Sequence, residues 1–133
     1  MDVEIGSLSE SQLLDKFDRR DVKRLLQYKT LLSFASRAVQ LSAVRQDWWA
    51  IGLIENPSEA VQLAAVQENG YAIQHIKEPS EAIQIAAVRQ NGCAIQFIKN
   101  PSETVQLAAV RQNILAILYI ENPSEAVRRA AQQ

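Results

Sequence analysis

One cysteine, four glycines and four prolines are scattered over 133 residues. The single thiol, Cys93, has no partner for an internal disulfide. The glycines form no phosphate-cradling loop, and the Asn69-Gly70 and Asn91-Gly92 pairs are turn signals instead. A charge excess of one sign is also lacking. Fourteen Lys plus Arg oppose fifteen Asp plus Glu, a net charge of −1, so nothing in bulk drives nonspecific binding to nucleic acid or membrane. No apolar run approaches the ~18 residues of a bilayer-spanning helix. No charged start, apolar run and small-residue cleavage pattern opens the chain as a signal peptide would. A cytoplasmic, reducing location is the expectation. The 47% apolar share is normal for a folded domain and argues against disorder.

What the sequence does have is repetition. PSEAVQLAAVQENGYAIQHIKE at 57–78 begins again at Pro79 and at Pro101, a period of 22 residues. A diverged copy, ASRAVQLSAVRQDWWAIGLIEN, precedes it at 35–56, and half a copy, PSEAVRRAAQQ, follows at 123–133. A fixed period of roughly 20–50 residues marks a stack of identical supersecondary units, none able to bury its apolar face alone. One domain is expected, with a cap at 1–34 and units at 35–56, 57–78, 79–100, 101–122 and 123–133.

Within a unit the punctuation is helical. Asn56, Asn100 and Asn122 precede Pro, with Glu59, Glu103 and Glu125 three residues after the Asn. This pattern predicts an Asn cap, Pro at the first helical position, and a carboxylate at the positive helix start. AVQLAAV then predicts a helix apolar nearly all round, sandwiched between its neighbours. Asn-Gly predicts its stop, with the glycine left-handed. YAIQHI, CAIQFI and LAILYI predict a second, short helix of about two turns with Ala72, Ile73 and Ile76 on one face. A β reading fails because alternation is not sustained and Ala and Gln are poor strand formers. The fold class is therefore all-α, an α-solenoid of long-helix/short-helix units.

The ends differ from the middle. Ser9 with Gln12 has the form of a capping box ahead of Leu13, Leu14 and Phe17, and a second cap helix is expected from Asp18 or Asp21, carrying Val22, Leu25 and Leu26 on one face. Where the fourth unit has Gln106, Leu107 and Val110, the last has Arg128, Arg129 and Gln132. A wettable outer face of this kind is expected of an end cap that closes a complete array.

The NPSEAVQLAAVRQNG-AIQFIKN pattern resembles short helical repeats found in tandem arrays of phage, bacterial and large-virus proteins. It is similar, more loosely, to the leucine-rich repeat variant, in which a long helix alternates with a short one. The resemblance covers 35–133 and not the cap. It implies an all-helical superhelix used for binding, in the broad group of HEAT and armadillo arrays, and no enzyme activity. It also implies a phage-type, anti-CRISPR-like inhibitor acting in the host-cell cytoplasm. It carries over no binding residues. The first unit departs from the pattern, with Trp48 at the glycine and Ala35-Ser36 in place of Pro-Ser, so the resemblance does not fix its turn geometry.

Positions fixed by stacking repeat from copy to copy, whereas positions facing a partner are free to vary. The fixed set is Val61, Ala65, Val66, Ala72, Ile73 and Ile76 with their equivalents. Two short-helix positions change in every copy: Trp49, Tyr71, Cys93 and Leu115 at one, Leu53, His75, Phe97 and Tyr119 at the other. Four residues apart on an α-helix, they are expected to form an apolar, aromatic ridge for a protein partner. Self-association into a homodimer and internal packing are the alternatives. A polar ladder of Arg45, Gln67, Arg89 and Arg111 ends the long helices. It either complements the negative helix ends and pairs with Glu59-type carboxylates, or offers guanidiniums to phosphates or an acidic partner. The basic stretch with Arg20, Lys23 and Arg24 is read the same two ways, as a solvated face or a phosphate contact. Asp47, Asn69, Asn91 and Asn113 are expected to be internal helix-end bonds.

Catalysis finds little support. His75 and Cys93 are the one conventional base and nucleophile, yet Trp, Leu, Phe and Tyr fill the equivalent positions, and no orienting group is evident. One His and one Cys fall short of a structural zinc set, so no metal or cofactor is expected. The leading expectation is a non-enzymatic adaptor or inhibitor that binds one protein; nucleic-acid binding through the arginines and a homodimeric scaffold are the alternatives.

Overall fold

A computed structural model describes residues 19–133, with side chains from Leu26 onward. The expected capping-box helix at Ser9 lies outside these residues. The second cap helix is α1, Arg19–Ser33. Five long helices follow: α2 Arg37–Gln46, α3 Glu59–Glu68, α4 Glu81–Gln90, α5 Glu103–Gln112 and α6 Glu125–Gln132. Between them lie four short helices, Trp48–Leu53, Gly70–His75, Gly92–Phe97 and Ile114–Tyr119. Each long helix packs on the next, and each short helix on its own long helix and the one after. The described residues are all-helical, without a strand, in a solenoid-like stack. Among them no helix is long and apolar enough to cross a membrane.

The helix starts lie two residues later than the sequence suggests. Ser36, Ser58, Ser80, Ser102 and Ser124 are the caps, each in extended backbone with its hydroxyl accepting from the amide three residues on. These bonds are 3.3–3.4 Å long. The expected Asn caps are thus overturned, and so is proline at the first helical position: Pro57, Pro79, Pro101 and Pro123 stand just ahead of the cap. Asn56, Asn100 and Asn122 reverse the chain instead, with φ of 51°, 52° and 50°. Glu78 does so at 47°, a conformation that Asn adopts far more readily than Glu. The glutamates do open the helices, as expected near the positive end of the dipole.

The helix stops also work differently. No glycine among the described residues has a positive φ. Asn69, Asn91 and Asn113 turn the chain in extended backbone, at φ of −155°, −152° and −152°. Each side-chain oxygen then accepts from the amide two residues on, at 2.9–3.0 Å, and so caps the short helix. Asp47 makes no such bond and sits at φ −135°, so the first turn differs. Gly70 and Gly92 are required by proximity: a Cβ there would overlap the carbonyl oxygens of Ala87 and Ala109 on the next long helix. That approach lets Gln90 Oε1 accept from Gly70 N at 2.6 Å and Gln112 Oε1 from Gly92 N at 2.5 Å.

The short helices are 3-10, not α, with about three residues per turn. Val61, Ala65, Val66, Ala72, Ile73 and Ile76 are all buried, as their constancy predicts, and the equivalents in the other units continue one core. Burying each such Val or Ile side chain is worth about 1.5–3 kcal/mol, so the stack is held mainly by this seam. Polar bonds fix its register. Ser80 and Ser102 hydroxyls donate to Glu59 and Glu81 of the preceding unit at 3.5 and 3.4 Å. In the last unit Arg128 and Arg129 are exposed, Arg129 pairs with Glu125 at 2.6 Å, and Val127 is buried, as a polar outer face requires.

Candidate functional site

Three residues per turn reshape the expected ridge. Residues four apart on a 3-10 helix point a third of a turn away from each other, so the two variable positions do not stack within a unit. Ring contacts run between units instead. Tyr71 meets Phe97 edge-on at 5.6 Å, Trp48 lies against His75 at 6.1 Å, and Tyr28 of α1 covers Trp49 at 6.4 Å. Part of the ridge is therefore internal packing.

Exposure changes along the array. Leu53 is a correction: only 1% exposed, it belongs to the core and is no part of an exposed ridge. His75 and Tyr71 are half-buried, Cys93 likewise, while Trp49 and Phe97 are open to solvent. Leu115 and Tyr119 of the fourth unit are 57% and 48% exposed. Two neighbours that the copy comparison passed over are as open: Ile114 at 56% and Leu118 at 76%. The signal was in the sequence, since Ile114 replaces Gly70 and Gly92 and Leu118 replaces Gln74 and Gln96. These four residues lie within the single short helix Ile114–Tyr119, with Phe97 on the short helix packed beside it.

His75 and Cys93 each have a described neighbour in another unit. The imidazole packs on Trp48 of the first unit, and Cys93 Sγ accepts from Asn113 Nδ2 of the fourth at 3.6 Å. His75 also lines a cavity of about 450 Å³ at the seam of α1 and the first two units, with Lys29, Glu55, Gln62 and Lys77. Among the described residues no group of three or more His, Cys, Asp or Glu is placed to hold a metal.

Arg45, Arg89 and Arg111 occupy the last turns of α2, α4 and α5 and are exposed, with Gln67 exposed at the matching place on α3. Among the described residues no carboxylate lies in ion-pair range of the three arginines, so the expected pairing with Glu59-type residues is absent. Arg20, Lys23 and Arg24 fall on α1 ahead of the described side chains. No protein-family model, no curated protein and no solved structure matches the chain.

Proposed function

We propose that the chain is a non-enzymatic binding module that recognises a protein through its 3-10 edge, chiefly at the fourth unit. The observation that supports this is the run of exposed apolar side chains Ile114, Leu115, Leu118 and Tyr119 beside Phe97. Apolar surface gathered on one edge of a stack, with a large aromatic beside it, is the usual composition of a recognition core. In the two preceding units the places of Ile114 and Leu118 carry Gly and Gln, so stacking does not demand these two apolar residues. The finer role of adaptor or inhibitor, including the phage-type anti-defence role in a host cytoplasm, rests on the repeat resemblance alone.

The test uses reversion toward the repeat's own consensus. Leu118→Gln copies Gln74 and Gln96, so it leaves the stack intact, and Leu115→Ser removes the second apolar contact. A photocrosslinker at position 118 should trap one protein in source cells, that protein should bind the purified chain with little salt dependence, and the double variant should lose it. Undiminished binding by the double variant refutes the proposal. A chain trapped only with copies of itself, and dimeric by sedimentation, replaces it with the homodimer.

A further inference from the structure

We infer that the groove between α4 and α5, on the face opposite the 3-10 edge, binds an acidic peptide segment through Arg89 and Arg111. The groove holds about 330 Å³ and is lined by Ile85, Arg89, Thr104, Ala108, Arg111 and Gln112. At 100° per residue these positions lie across the helix from the buried set Ile83, Ala87 and Val88, and from Val105, Ala109 and Val110. The site is therefore separate from the apolar edge and does not rest on the function proposed for it.

Charge and periodicity together single this groove out from its neighbours. The ladder runs Arg45, Gln67, Arg89, Arg111, so only here do two adjacent units both present a guanidinium. The helix spacing of packed pairs, about 8–10 Å, sets the two cations close enough for one ligand to reach both. Neither has a carboxylate or a hydrogen-bond acceptor among the described residues, leaving both forks of donors open. Thr104 adds a hydroxyl where the other units have Ala60, Ala82 and Ala126.

The floor decides the class of ligand. Ile85 and Ala108 give an apolar bed beside the cationic end, which suits an apolar side chain next to a Glu or Asp carboxylate. No aromatic lines the groove for base stacking, and Gln67 breaks the cationic stripe that a nucleic-acid backbone would follow.

The probe is a short capped peptide alternating leucine and glutamate, titrated into the full-length chain and followed by NMR at the arginine side chains, Thr104 and the Ala108 methyl. Saturable shifts confined to these groups are expected. Arg89→Gln with Arg111→Gln should weaken binding at least about tenfold, and Arg45→Gln should leave it unchanged. Glutamine already occupies the equivalent position 67, so the substitution suits the fold. The Leu115→Ser, Leu118→Gln variant should bind the peptide normally, which separates failure here from failure of the 3-10 edge. The inference is overturned if no shift saturates, if the leucine-glutamine peptide binds equally well, or if an oligothymidylate binds more tightly at the same arginines.

Discussion

The second and third units are built alike, and the fourth breaks their pattern on both faces. In the first two, glycine admits the next helix so closely that a glutamine side chain reaches the glycine amide. The fourth carries Ile114 and Leu118 on one face and Thr104 on the other. Of these, Ile114 and Leu118 add exposed apolar area that the core does not use, and Thr104 lines the arginine groove. In an array of near-identical parts, then, loss of symmetry marks the side chains that stacking does not require.

The sharpest way to break that contrast is to give a regular unit the side chain it excludes. Gly92→Ala drives a methyl into the Ala109 carbonyl and strains the Gln112 bond, and should destabilise by about 1–3 kcal/mol, the usual range for overpacking. Ile114→Ala, at the matching place in the fourth unit, should shift stability by about 0.5 kcal/mol or less because its side chain is largely solvated. Paired denaturant titrations read the difference, and equal losses would mean the fourth joint is packed like the others.

A smaller effect sharpens the comparison at the joint between the regular units. Glu78 holds a left-handed backbone that Asn56, Asn100 and Asn122 hold elsewhere. Glu78→Asn should raise stability by about 0.5–1 kcal/mol, since a non-Gly residue of ordinary type costs about 1–2 kcal/mol there and Asn less. No gain in the unfolding midpoint would show that the joint carries no such strain.

The smallest effect belongs to the far end of the array. The Tyr28 phenol is held above its ordinary value of 10.0, first by burial and second by the Asp47 carboxylate. A raised folded-state value means the stabilisation is complete below pH 10 and is lost as pH rises through the folded value. Alkaline titration followed by tyrosinate absorbance should therefore show a late phenol signal that is lost in Tyr28→Phe and shifted earlier in Asp47→Asn. A Tyr28 phenol that titrates at its ordinary value would mean α1 does not cover Trp49 as the ring contact indicates.

Much of the site's placement was legible by comparing copies, but not its depth. Comparison picked out Trp49, Phe97, Leu115 and Tyr119, all of which prove exposed, along with Leu53, which proves buried. Residues four apart pair on an α-helix, whereas the 3-10 helix turns them away from each other. The arginine ladder was visible as spacing. That neither Arg89 nor Arg111 meets a carboxylate, and that Ile85 and Ala108 floor the space between them, depends on how two helices sit side by side.

The sequence by itself determined the all-helical class, the 22-residue unit, the buried stripe and the polar final helix. These follow from local spacing, because an apolar stripe and its punctuation act within a few residues of each other. Only the tertiary structure decided that serine and not asparagine caps the helices, that glycine serves close approach and not a left-handed turn, and which variable side chains reach solvent. The serine caps bond locally, to the amide three residues on, but the glycine and exposure outcomes depend on atoms of the next unit, such as the Ala87 carbonyl over Gly70 and the Gln112 amide at Gly92. A periodic sequence states that units meet, and the packed distance between them settles what each meeting permits.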